Sequence, residues 1–214
     1  MAKRAAAAVY CAGKIAKNDW RHTLFPGLRG AGPDDWLERD GLVYTGPWFV
    51  SCDHGCAHGP HTHGTGPACG EDDDPVTVWN RRQMTLLQGR AGLLRADVVF
   101  AWIDAPTAFG TFVELGYALG RGKGVFVAFP GFRTDSLKKL TPFTPTRAWV
   151  RDLWWLCHAV HEAIEAPTVE AAWERFVAWL DGTWATADAL ARARRPGLGA
   201  GFALNNWPWE DDPA

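Results

Sequence analysis

The chain has 214 residues, 47% of them hydrophobic, which is enough for one sizeable core and too short for two full domains without crowding. Charged residues make up 21% and the formal net charge is -2, so no global basic field exists to hold a long nucleic acid by its phosphates. No run approaches the ~18 apolar residues of a membrane span, and the composition therefore favours a small-molecule partner over a long nucleic acid or a membrane.

At the start, Lys3 and Arg4 precede an apolar run from Ala5 to Ala12, a superficial likeness to a signal peptide. The run is short and ends at Gly13-Lys14. A first β-strand over Ala5 to Cys11 accounts for the same residues, and the protein is read as soluble and cytoplasmic. After it, Gly13 to Arg21 is a loop, and the stretch to Arg39 is partly helical between Pro and Gly interruptions. Leu42-Val43-Tyr44 and Trp48-Phe49-Val50 form one interrupted strand or two short ones. From Gly55 to Pro75 the chain is rich in Gly, Pro, His and Asp, which predicts a long loop.

Val76 to Arg95 reads as a helix, with Leu86, Leu87, Leu93 and Leu94 as apolar contacts and with Gly89 and Gly92 weakening it. The clearest strand follows, Asp97 to Ile103, continuously apolar as a central parallel strand should be. Asp104 to Gly110 is a loop, Thr111 to Gly120 a helix, and Val125 to Phe129 a second buried strand. A short strand is expected at Arg147 to Val150, then helices over about 152 to 165 and 168 to 181, separated by Pro167-Thr168. The stripe Trp173, Phe176, Val177 and Leu180 has helical spacing and reads as core, although the chain carries 13 Trp.

Alternating strands and helices predict an α/β fold: an open, mainly parallel sheet flanked by helices, Rossmann-like or flavodoxin-like, with a long Cys/His-rich loop insertion. Residues 1 to 182 form the α/β domain, containing the Cys/His-rich loop 51 to 75. Residues 183 to 214 form a C-terminal helix and tail. In such sheets ligands sit at the carboxyl ends of the strands, which here means the loops after Ala12, after Ile103 and after Phe129.

The segment Ala96 to Asp104, followed by Gly110-Thr111-Phe112-Val113-Glu114-Leu115-Gly116-Tyr117-Ala118 and Lys123, resembles the nucleoside 2-deoxyribosyltransferase family and its nucleotide N-hydrolase relatives. Their pattern is an Ala-Asp strand, a short loop, then Gly-Thr-x-x-Glu-x-Gly-Tyr-Ala. Val9-Tyr10-Cys11-Ala12-Gly13-Lys14-Ile15 is similar to that family's first strand and glycine turn. The resemblance implies that Glu114 is a nucleophile at the anomeric carbon of a nucleoside or nucleotide, consistent with the need for an anion beneath an oxocarbenium-like sugar. It implies a glycosyl-enzyme resolved by water or a second base, no cofactor for the chemistry, and a homo-oligomer, for which the Trp-rich surface would suit an interface. A competing account of Glu114 is a capping box, with Thr111 as N-cap and Glu114 at the third helical position.

The sequence departs from the family pattern where Asp residues are expected: Ala108-Phe109 precede the Gly110-Thr111 pair, and Gln88-Gly89-Arg90 stand on the preceding helix. Either the proton for the leaving base comes from Asp104, or it comes from His54 or His58 in the Cys/His loop, or activation of the base is weak; Asp104 also reads as a solvated turn residue. Tyr10, Gly13, Lys14, Asp19, Arg21, Gly110 and Thr111 are the candidate substrate-binding residues. Lys14 and Arg21 suit a 5′-phosphate, although basic residues in a loop are more often simply solvated; Tyr10 suits a base, although a Tyr at that position is more often core.

Cys52, His54, Cys56, His58, His61, His63 and Cys69 place seven sulfur or imidazole groups within 18 residues. Cys52, Cys56, His58 and Cys69 would close a structural zinc site; a loop folding over the substrate and a plain polar loop are the alternatives. Two other functions compete with glycosidic transfer or hydrolysis: NAD glycohydrolysis, and a non-catalytic nucleotide-binding or zinc-stabilised sensor.

Overall fold

The computed structural model describes residues 7–15, 20–28, 31–48, 75–133 and 135–183. Six strands form one sheet: β1 (Ala7–Ala12), β2 (Glu38–Arg39), β3 (Leu42–Gly46), β4 (Val98–Trp102), β5 (Gly124–Pro130) and β6 (Glu162–Ala166). Their order is β2-β3-β1-β4-β5-β6. All neighbours pair in parallel except β2 with β3. With the small β2 set aside, the parallel strands follow the flavodoxin-type doubly wound order, whose connections diverge on either side of β1. The open, mainly parallel α/β architecture expected from the sequence is therefore present.

Five α-helices cover the sheet among the described residues: α1 (Arg21–Leu24), α2 (Pro75–Arg95), α3 (Phe109–Gly120), α4 (Trp154–Ala159) and α5 (Val169–Thr183). Side-chain alternation along the strands sends their residues to two cores. Val9, Cys11, Val98, Phe100 and Phe126 face α1 and α5, where Trp173, Phe176 and Leu180 complete the packing. The Phe100 ring meets Trp173 edge-on at 5.3 Å and Phe126 meets Phe176 at 5.4 Å. Tyr10, Ala12, Val99, Ala101, Val125 and Val127 face the other way, toward Leu93 of α2, Leu115 and Ala118 of α3, and Cys157 of α4. A strand buried on both faces has no polar position to spare, which is why β4 and β5 are continuously apolar in sequence.

Several local expectations differ from the structure. The strand expected at Arg147 to Val150 is a 3-10 helix, Ala148–Leu153. The helix expected over 152 to 165 divides into α4 and the edge strand β6. Glu162-Ala163-Ile164-Glu165-Ala166 has helix-favouring composition, and pairing with β5 overrides that weak preference. The strand β2 is joined to β3 through Asp40 (φ 52°) and Gly41 (φ 72°), the Asp-Gly hairpin turn whose two left-handed residues match the twist of the strands. Leu42 to Gly46 is one strand, with Trp48 buried just beyond it. No helix among the described residues is long and apolar enough to cross a membrane.

Candidate functional site

The best-developed polar site lies where β1, α2 and α3 meet. Tyr10, two residues short of the carboxyl end of β1, is fully buried. Its ring occupies a slot lined by glycines. A Cβ on Gly46 would come within 3.1 Å of the ring, one on Gly92 within 3.2 Å of it, and one on Gly89 within 3.3 Å of the hydroxyl. Gly89 and Gly92 are three residues apart and so share one face of α2. At Gly92 the helix lies so close to β3 that a Cβ would sit 2.2 Å from the carbonyl oxygen of Thr45. The two glycines that weaken α2 as a helix are thus what allow it to close over Tyr10.

From that slot the Tyr10 hydroxyl donates to Oε1 of Glu114 at 2.6 Å. Glu114 is half-buried in the second turn of α3. Burial pushes its carboxyl above the ordinary carboxylate range, opposed by the Tyr10 hydrogen bond and the positive charge of Arg21. Burial, reinforced by the negative charge of Glu114 and the hydrogen bond to it, raises the Tyr10 phenol well above its ordinary value. The phenol therefore keeps its proton and acts as the donor.

This geometry overturns the capping-box account of Glu114. The cap position of α3 is Ala108, with no side-chain cap bond, and Thr111 is already inside the first turn, facing the core. Glu114 thus stands three positions beyond the site where a capping carboxylate reaches back, and its oxygen faces Tyr10.

Arg21 is fully buried rather than presented to a phosphate. Its Nε donates to the Cys11 carbonyl at 2.8 Å, Nη2 to Gly13 at 2.7 Å and Nη1 to Lys14 at 3.4 Å, while the guanidinium lies 4.4 Å from the Trp20 ring centroid. It clamps the turn that leaves β1 and acts on Glu114 as a charge. In that turn a Cβ on Gly13 would fall 2.7 Å from the carbonyl of Trp102, so the ends of β1 and β4 approach closely. Lys14 is exposed at this edge, as are Asp104 beyond β4 and Gly110 at the start of α3.

Asp97 and Lys123, both within the sequence motif, serve the scaffold. Asp97 accepts from the Ala8 amide at 2.9 Å, pinning β4 to β1. Lys123 donates to the Ala96 carbonyl at 2.6 Å at the end of α2. Asp19, His54, Cys52, Cys56, His58 and Cys69 lie outside the described residues, and among the described residues no group of three or more potential metal ligands occurs.

Sequence reasoning passed over the glycine slot, for which the signal was two glycines at helical spacing in α2. It also passed over a second buried carboxylate, Glu165 on β6, which accepts from the Thr146 amide at 2.6 Å and the Thr146 hydroxyl at 2.5 Å. Comparison with protein-family models, curated proteins and solved structures finds no match to this chain.

Proposed function

We propose that this protein cleaves or transfers at the N-glycosidic bond of a nucleoside or nucleotide, through a glycosyl-enzyme on Glu114. The observation that carries this reading is a carboxylate beside the divergence point of an open α/β sheet, with one oxygen held by a buried phenol. Tyr10 engages Oε1, so Oε2 is the attacking oxygen in this reading. Its bond to the anomeric carbon forms as the carbon–nitrogen bond breaks, and the electron pair leaves with the base. A proton from Asp104 or His54 neutralises that base. Water, losing a proton, or a second base then attacks the same carbon and releases the carboxylate, with overall retention. Lys14, exposed at the end of β1, is the cation for a 5′-phosphate, and Arg21 holds the turn that presents it.

The test is chromatographic detection of free base after incubation with ribo- and deoxyribonucleosides, their 5′-monophosphates and NAD, with and without an acceptor base. Base release or exchange that disappears in Glu114→Gln supports the reading and names the substrate class. Activity that survives Glu114→Gln, or no turnover across the panel, overturns it.

A further inference from the structure

The slot that holds Tyr10 continues past its hydroxyl to the Glu114 carboxylate. Among the described residues outside its own helix, a Cβ on Gly89 would have two atoms within 4 Å, the Tyr10 hydroxyl oxygen at 3.3 Å and Glu114 Oε1 at 4.0 Å. Gly89 is buried, so the notch it leaves is shielded from bulk water and bordered by those two oxygens. Tyr10 donates its one proton to Oε1, which leaves the phenol oxygen able to accept and Oε1 with a second lone pair. On α3, Gly110 stands one turn before Glu114, and the Glu114 side chain leans toward that turn because helical side chains tilt toward the N-terminus. Gly110 is exposed, and a Cβ there would meet nothing within 4 Å. The carboxylate is thus approached over one bare position and flanked by another.

The stereochemistry of nucleosides connects this notch to one position of the substrate. The base stands on the β face of the sugar, so a carboxylate that displaces it attacks from the α face. A 2′-hydroxyl in the ribo configuration lies on that same α face, on the carbon next to the one attacked. It is therefore carried against whatever flanks the nucleophile. A 2′-deoxy sugar presents only hydrogen there, and the arabino epimer turns its hydroxyl to the opposite face.

We propose that Gly89 makes this site selective for ribosyl substrates, the 2′-hydroxyl entering the notch and donating to Oε1 of Glu114, the oxygen that Tyr10 holds. The inference rests on the reading of Glu114 as nucleophile. With Oε2 bonded to the anomeric carbon, Oε1 is the carboxylate oxygen left to receive the neighbouring hydroxyl, and hydrogen bonds to that hydroxyl strengthen as the sugar becomes oxocarbenium-like. A side chain at position 89 would fill the notch, and a deoxy sugar would leave it empty. Gly89 is then a specificity-determining position, whose bare Cα serves both the packing of Tyr10 and the fit of the sugar.

The test is kcat/KM for base release from substrates that differ only at C2′: the ribo, 2′-deoxyribo and arabino forms of adenine and cytosine nucleosides and of their 5′-monophosphates. The wild type should favour the ribo form over the deoxyribo form by at least ~10-fold. Gly89→Ala should lower that ribo-to-deoxyribo ratio at least ~10-fold, while the arabino-to-deoxyribo ratio holds, because the arabino hydroxyl points away from the new methyl. Should the variant fail to fold, the wild-type order among the three sugars decides. A wild type that prefers the deoxyribo or arabino form, or a folded Gly89→Ala whose ribo-to-deoxyribo ratio is unchanged, overturns the ribosyl assignment and leaves the glycosidic chemistry standing. Base released from none of the three sugars removes the reading of Glu114 and this inference with it.

Discussion

Two carboxylates, one on the sheet and one on a helix packed against it, have different environments. Glu165 on β6 is wholly enclosed, both of its oxygens accept from Thr146, and the backbone at Gly131 presses against it so closely that a Cβ there would stand 2.6 Å from the carboxylate. Glu114 on α3 is half-buried, with one oxygen held by Tyr10 and its carboxyl pushed upward by burial. A fully satisfied carboxylate behaves as a structural tie, here joining β6 to the segment that carries Thr146. A partly satisfied one, held in one orientation, retains the capacity to react. Burial of a charged residue type therefore says little about chemistry until its remaining lone pairs are accounted for.

The largest expected effect separates these two residues by function. Glu114→Gln should lower base release at least ~10³-fold while the urea midpoint stays close to that of the wild type, since the amide still accepts from Tyr10. A mutant that keeps its turnover would remove the contrast. Glu165→Ala should do the reverse, costing about 2–4 kcal/mol in urea unfolding by stranding the Thr146 donors and opening a void against Gly131. An unchanged unfolding midpoint would show that Glu165 is not the tie described here.

Tyr10→Phe sharpens the comparison by pH. The carboxyl of Glu114 lies above its ordinary value in the folded chain, so over that interval the native state holds a proton that the unfolded chain has lost. Stability contributed by this group is complete below the unfolded value and is lost as pH rises through the folded one. Under the proposed glycosidic chemistry turnover needs the carboxylate and should rise across the same interval. The Tyr10 bond lowers the Glu114 carboxyl, so its removal should move the acid limb of the kcat/KM profile to higher pH, with turnover falling about 10-fold. A limb that stays in place would show that the phenol does not tune the acid.

Gly89→Ala should have the smallest effect on stability. Its new methyl would stand 3.3 Å from the Tyr10 hydroxyl, a tight contact offset by a gain in helix propensity of up to ~1 kcal/mol. Urea unfolding should therefore change by under about 1 kcal/mol. Gly92→Ala, aimed at the Thr45 carbonyl, should by contrast cost about 3 kcal/mol.

Much of the sheet was legible because burial leaves a strong mark on sequence. The apolar runs of β4 and β5, the glycines that stop α3, and the break at Pro167-Thr168 before α5 all correspond to observed elements. Edge elements were harder. β6 contains two glutamates in five residues and resembles a helix locally, because its strand character comes from β5 alongside. In the candidate site, Glu114 and Tyr10 were each identifiable as residues of interest, but their contact spans 104 positions of sequence and no local pattern encodes it. Arg21 shows the opposite error: a basic residue in a loop reads as solvated or anion-binding, whereas three backbone carbonyls converge on it.

The sequence by itself determined the class of architecture, because hydrophobic period and turn chemistry are local properties that every strand and helix must satisfy wherever it finally packs. It also determined which helix carries the carboxylate. Only the tertiary structure decided that the two glycines of α2 form a slot for Tyr10, that Arg21 turns inward, and that Glu114 and Glu165 have different partners. Those outcomes depend on which backbone approaches which side chain across the sheet, and close approach between distant segments is settled only when the whole core packs.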